Sequence, residues 1–160
     1  MPIDHDQPLV VANDGRQSGR AADIARGSCR LLARHGMRAI GEFSLANGRR
    51  ADLIAVGDDG GIVVVEIKSS LEDFRADQKW PEYREFCDKL YFAVAPDFPQ
   101  LVLPGDTGLI VADRYGGEII REAPVQKLAP ARRKALLLRI ARVAAGRLMM
   151  LTDPEQLLET

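Results

Sequence analysis

Two carboxylates and one amine carry the chemistry this sequence can do. Asp52 sits inside the strand-like run RRADLIAV, and Glu66 and Lys68 close a second run, IVVVEIKSS. Side chains alternate along a strand, so Glu66 and Lys68 leave one face while Val63, Val65 and Ile67 leave the other. A buried strand that ends in charges is costly unless those charges are paired or used. Asp, then Glu-x-Lys on a neighbouring strand, is a set that metal-assisted phosphodiester hydrolysis can use. Mg²⁺ or Mn²⁺ held by one or two carboxylates stabilises charge on the phosphoryl oxygens and activates water. Asp52 and Glu66 are the expected metal ligands, with the backbone carbonyl of Ile67 as a third oxygen. Lys68 is placed to orient the water or to neutralise charge in the transition state. Glu42, on the preceding strand, is a further carboxylate on the polar side. The same residues also fit an ordinary ion pair of Lys68 with a carboxylate, which would have no chemistry.

The elements that must hold these residues follow from periodicity and turn signals. Arg20 to Met37 has helical spacing, with Ile24, Leu31 and Leu32 on one face and Arg26, Arg30 and Arg34 on the other. That arginine row could track a phosphate backbone or be a solvated face. Strands are expected over Arg38 to Leu45 and Arg49 to Gly57, with Ile62 to Ser70 as the third. The turns Asn47-Gly48 and Asp58-Asp59-Gly60-Gly61 separate them, so the three form an antiparallel meander. Leu71 to Ala76 reads as a connection and Asp77 to Asp88 as a helix, with Pro81 tolerated in its first turn. Trp80 on that helix reads as a packing anchor against the sheet. Lys89 to Ala95 is a fourth strand, and a hairpin follows around Tyr115-Gly116-Gly117. Pro130 to Met150 is a long helix with Leu137, Leu138, Ile140, Ala141, Ala144, Ala145 and Leu148 on its apolar face. Arg132, Arg139, Arg142 and Arg147 cluster opposite. Helix, three strands, helix, strand, hairpin and helix make an α/β layered fold around a mixed sheet.

Bulk properties narrow the classes. The 160 residues fit one domain with a real core, and 46% hydrophobic with 28% charged residues is globular composition. The expected organisation is an N-terminal arm over 1–19, a single domain over 20–151 and a tail over 152–160. His5, in the arm, reads as solvated. The net charge is −1, so an anionic partner would have to be met by a local basic face. Cys29 and Cys87 lack metal-ligand spacing and suit free thiols in a reducing compartment. No apolar run spans a membrane and no signal pattern is present, so a cytoplasmic location is expected.

GRRADLIAV followed by VVVEIKSS resembles the PD-(D/E)xK nuclease superfamily, whose restriction-endonuclease-like core is αβββαβ. The longer string RRAD, VEIKSS, DF, DQKWPEY and CDKLYFAV is more narrowly similar to the MmcB-type bacterial DNA-repair family over most of the chain. The superfamily resemblance implies a restriction-endonuclease-like mixed sheet flanked by helices, here extended by a C-terminal hairpin and helix. It also implies metal-dependent cleavage of DNA, with Asp52 and Glu66 as ligands and Lys68 as the catalytic amine. Ala51 stands where proline is usual before the aspartate. Gln78 and Tyr83 are loosely similar to a Gln and Tyr that some members carry after the Glu-x-Lys strand, which makes Gln78 a further catalytic candidate. Contacts to DNA are assigned to Arg26, Arg30, Arg34, Arg50, Lys79, Arg132, Arg139 and Arg142. The narrower resemblance implies a role in DNA repair. DNA is the expected partner, and other repair proteins and a homodimer are allowed for. The alternative is a catalytically inactive nucleic-acid-binding or repair-complex adaptor on the same fold.

Overall fold

The computed structural model describes residues 18–155. The expected arm over 1–19, His5 included, lies outside the described residues apart from its last two positions, as do the final five of the expected tail. Helix α1 (Gly19–Arg34) starts where the Ser18 hydroxyl accepts the Ala21 N–H at 3.1 Å, which satisfies one of the orphan donors of a first turn. It closes where the Gly36 N–H reaches the Ala33 carbonyl and the Met37 N–H the Leu32 carbonyl. Gly36, at φ +75°, supplies the left-handed residue that this ending requires.

Strands β1 (Arg38–Ser44), β2 (Arg50–Val56) and β3 (Ile62–Lys68) form the expected antiparallel meander. Helix α2 (Leu71–Ala76) and a 3₁₀ stretch (Trp80–Phe86) lead to β4 (Lys89–Val94), and a short 3₁₀ turn (Gln100–Val102) leads to β5 (Gly108–Asp113). Strand β6 (Gly116–Arg121) and helix α3 (Pro130–Thr152) complete the order. The six strands lie side by side in chain order, β3–β4 and β4–β5 parallel and the other pairs antiparallel. The sequence α1, β1–β3, α2, β4 is the αβββαβ core, and the mixed sheet continues through the β5–β6 hairpin.

Every residue of β3 is buried, because both faces of this inner strand are covered. On one side Val63, Val65 and Ile67 pack with Ile24, Leu31 and Leu32 of α1. On the other, Phe92, Val94, Phe98, Leu103 and Leu109 form a second core against Phe74 and Trp80. Trp80 meets Phe92 edge-on at 5.2 Å between ring centroids, the anchoring role expected of it. Register sets Glu66 beside Phe92 and Lys68 beside Val94, so both ionisable residues emerge beside this second core.

Three expectations need correction. Leu71 to Ala76 is a helix rather than a connection: the Ser70 hydroxyl accepts the Asp73 N–H at 3.1 Å, and the Asp73 carboxylate accepts the Ser69 N–H at 3.2 Å. That reciprocal cap starts a turn which hydrophobic periodicity cannot reveal, since none of its residues is buried. Asp77 to Asp88 is not an α-helix. It begins with an extended Asp77 and then makes only the 3₁₀ stretch, with Pro81 in its first turn. The apolar face of α3 also differs, since Leu136 is its buried residue while Leu138 and Leu148 are exposed.

By its contacts the chain divides into two compact units, one ending at Lys127 and one beginning at Leu128. The second contains α3, which carries six cations (Arg132, Arg133, Lys134, Arg139, Arg142 and Arg147) and no carboxylate. No helix among the described residues is long and apolar enough to cross a membrane.

Candidate active site

Asp52 and Glu66 meet where β2 and β3 stop pairing through their backbones. The ladder's last partners at this end are Leu53 and Val65. One step further, the Ile67 N–H donates to Asp52 Oδ2 at 2.7 Å and the Asp52 N–H donates to Glu66 Oε1 at 3.1 Å. Each carboxylate thus takes the place of a ladder carbonyl on the other strand. This satisfies two backbone donors that burial would otherwise leave orphaned, and it leaves each carboxylate its second oxygen. On the far side of β2, Gly41 pairs with Leu53 and Phe43 with Ala51, so Glu42 falls opposite Asp52. Glu42 is the one non-glycine residue with positive φ among those described, at +47°. Such a backbone costs on the order of 1–3 kcal/mol and persists only where its surroundings hold it.

A cleft of about 350 Å³ opens over these residues. Glu42, Arg50, Asp52, Glu66, Ile67, Lys68, Ser69, Asp73 and Tyr83 line it, with Ser18 and Ala21 from the first turn of α1. The Ile67 side chain packs in the α1-side core, so this residue reaches the cleft through its backbone. The lining is mostly polar, as suits an ionic ligand.

The electrostatics are those of a site short of positive charge. Burial pushes the Asp52 carboxyl up to about 6, against the Ile67 hydrogen bond and the Lys68 charge, which lower it. Burial and then the adjacent Asp52 charge drive Glu66 well above the usual carboxylate range. Two like carboxylates in a shielded place resist ionising together. Lys68 eases this only from a distance, because its ammonium donates to Asp77 Oδ2 at 2.6 Å. Asp77 is itself lowered. Burial raises it, but the Lys68 hydrogen bond and the backbone N–H groups of Lys79 and Trp80 outweigh that. Tyr83 is raised by burial and by Glu66, Asp52 and Asp77, and its hydroxyl donates to the Arg50 carbonyl at 2.8 Å. With the Arg49–Glu82 pair at 2.7 Å, that bond ties the 3₁₀ wall to β2.

The structure therefore brings together Asp52, Glu66, Ile67, Lys68, Glu42 and Arg50. Gln78 stays outside the cleft, exposed, with its amide donating to the Arg75 carbonyl at 3.0 Å. Lys79 is also exposed, and its backbone N–H supports Asp77. Arg30 and Arg34 donate to the carbonyls of Tyr115 and Gly117. Arg26 is half-buried, its Nε shielded from solvent and without a hydrogen bond. Arg132, Arg139 and Arg142 are exposed on α3. Asp77 and Tyr83 matter more than the sequence reading allowed. The signal for Asp77 is its place just after a capped helical turn, from which a carboxylate can fold back onto the Lys68 strand.

All the oxygens facing the cleft suit a hard divalent cation such as Mg²⁺ or Mn²⁺. The Asp52–Glu66 pair, which resists ionising together without added positive charge, fits such a cation. Among the described residues no three His, Cys, Asp or Glu side chains form a ready-made ligand cluster, so protein ligation would rest on two carboxylates and a carbonyl.

A family model described as "DNA repair protein MmcB-like" matches residues 8–155. No curated protein matches the chain. A solved protein of unknown function from Silicibacter pomeroyi is 47% identical, with a TM-score of 0.83 over 87% of this chain and 95% of that one.

Proposed function

Because this chain belongs to the MmcB-like DNA repair protein family, we propose that it is a metal-dependent deoxyribonuclease acting in DNA repair, with a site of the PD-(D/E)xK kind. The observation that carries the reading is the Asp52–Glu66 pair. Each carboxylate is fixed by a backbone N–H of the other's strand, both are pushed up by burial, and the nearby ammonium is hydrogen-bonded elsewhere. Asp52, Glu66 and the Ile67 carbonyl would hold Mg²⁺ or Mn²⁺, with Glu42 as the neighbouring carboxylate. The bound ion would supply a Lewis acid at the phosphoryl oxygens and a more acidic water.

The chain's own residues have separable tasks. The paired strands fix Asp52 and Glu66 before substrate arrives, so no reorganisation is needed at the moment of reaction. Lys68 presents an ammonium to the cleft, where it offsets negative charge growing on the phosphoryl group. Asp77 keeps that ammonium in place. Arg50, exposed at the rim, is available to a neighbouring phosphate. Plasmid or structured DNA incubated with Mg²⁺ or Mn²⁺ tests the reading. Asp52→Ala and Lys68→Ala should each lower cleavage at least about 100-fold, and equal cleavage by all three proteins overturns it.

A second reading, a repair adaptor that binds DNA without cutting, draws on the Lys68–Asp77 ion pair and on the lack of a three-ligand cluster among the described residues. It expects salt-dependent DNA binding with no turnover under any divalent cation.

A further inference from the structure

The tip of the β5–β6 hairpin is held far more firmly than a surface turn requires. The Asp113 carboxylate accepts the N–H groups of Tyr115 and Gly116 at 2.8 and 3.1 Å. Arg30 and Arg34 of α1 donate to the carbonyls of Tyr115 and Gly117 at 3.3 and 3.0 Å. Helix α1 also packs directly on this turn at Gly27, where a Cβ would lie 1.8 Å from the Asp113 carbonyl oxygen and 2.5 Å from that of Gly116. What these restraints hold up is an aromatic ring turned to solvent. Tyr115 is 73% exposed, and the Arg114 guanidinium lies 5.5 Å from its ring centroid. Turns ordinarily place small polar residues at such positions, and folds gain from aromatic rings by burying them. An open ring on a firmly held turn, among arginines, has instead the make-up of a platform on which a nucleobase stacks.

Charge complementarity selects the partner. Each guanidinium has five donors, so Arg30 and Arg34 keep most of theirs after anchoring the turn, and Arg114 adds a third cation. Asp113, which caps the turn amides, and Glu118 are the opposing exposed carboxylates, so the three arginines still leave the tip with an excess of positive charge.

We propose that Tyr115 is a stacking platform for an unpaired base of single-stranded DNA, with Arg114, Arg30 and Arg34 meeting the adjoining phosphates. The proposal rests on the reading of the chain as a DNA-acting protein and names its substrate class as DNA with a single-stranded segment. Helix α1 links this platform to the cleft, since Ala21 lines the cleft and Arg30 supports the tip. Nine residues of helix separate them, roughly 14 Å at 1.5 Å per residue.

Fluorescence anisotropy with a labelled single-stranded oligonucleotide and its blunt duplex tests this in the full chain. Tyr115→Ala should weaken single-strand binding about 5- to 100-fold, and Tyr115→Phe, which keeps the ring, should stay within about 2-fold of wild type. Both variants should bind the blunt duplex within about 2-fold of wild type. Wild-type-like single-strand binding by Tyr115→Ala overturns the platform, leaves the repair reading standing and points to a protein partner for the tip. Equal losses on duplex and single strand, or a Tyr115→Phe as weak as Tyr115→Ala, overturn it as well. A wild-type protein that binds neither DNA overturns both the platform and the reading on which it rests.

Discussion

At the scale of single residues, the Asp52–Glu66 pair makes the fold sensitive to pH in an uncommon direction. Asp52 titrates near 6 in the fold, against 3.8 for an ordinary aspartate, so its protonated form is the better-tolerated one. The stability this contributes is full below the unfolded value and is lost as pH rises through about 6. Metal-free protein should therefore melt at a higher temperature at pH 5 than at pH 7.5. Asp52→Asn should flatten that dependence and add on the order of 2–3 kcal/mol at neutral pH. A divalent cation should do likewise: at a concentration 100 times its Kd it adds about 2.7 kcal/mol, read by calorimetry without any cleavage assay. Asp77 behaves oppositely. Its lowered pKa gives stability that is present above the unfolded value and is lost as pH falls through the folded one. Removing it in Asp77→Ala strands the Lys68 ammonium, whose side chain is 6% exposed. The expected loss is about 2 kcal/mol, below the 3–5 kcal/mol of a fully buried pair because Asp77 itself is partly in water. Urea denaturation of the variant reads that loss, and Lys68→Met combined with Asp77→Ala should recover much of it.

At the scale of elements, the strands and the two long helices were legible, and the short supports that follow β3 were not. The β-branched run ending in Glu66 and Lys68, and the turns at Asn47-Gly48 and Asp58 to Gly61, gave the meander its order. The structure places Gly48 at φ +83° and Gly60 at +82°, the left-handed residues such turns demand. That Glu42, Asp52 and Glu66 stand side by side across three strands follows from this register. Helix α2 escaped notice because six residues, of which only Leu71 and Phe74 are even half-buried, are too few for a helical period to be read. The Lys68–Asp77 pair escaped with it, since only that helical turn folds Asp77 back onto β3. The arginine row of α1 was visible as a row, but spacing could not tell phosphate oxygens from the hairpin carbonyls that Arg30 and Arg34 meet. Gly27 carried no signal at all, although it decides how α1 lies. Its hydrogen stands where any side chain would strike two backbone oxygens, and backbone is slow to yield. Gly27→Ala should therefore lower stability by roughly 2–3 kcal/mol despite alanine's better helix propensity, an overpacking effect that thermal denaturation would register.

At the scale of the molecule, charge is divided unevenly. The chain is net −1, yet α3 alone carries six cations and no carboxylate, so the rest of the protein is net negative by seven. DNA affinity should accordingly depend on α3 beyond what the overall charge suggests. Lys134→Ala with Arg142→Ala should reduce the slope of log K against log salt by about two, with little preference for sequence. The sheet has a further consequence, one for assembly in time. Its strands lie in the order in which they are made, so each new strand joins an open edge and none has to be threaded between two already paired. Helix α1 is the exception. Of the described elements it is made first, yet its densest packing is against β5 and β6, the last of the described strands. The earliest of the described elements must therefore wait for the latest part of the sheet before its apolar face is covered, and its docking should be the late, slow step by which the sheet and helix close on each other.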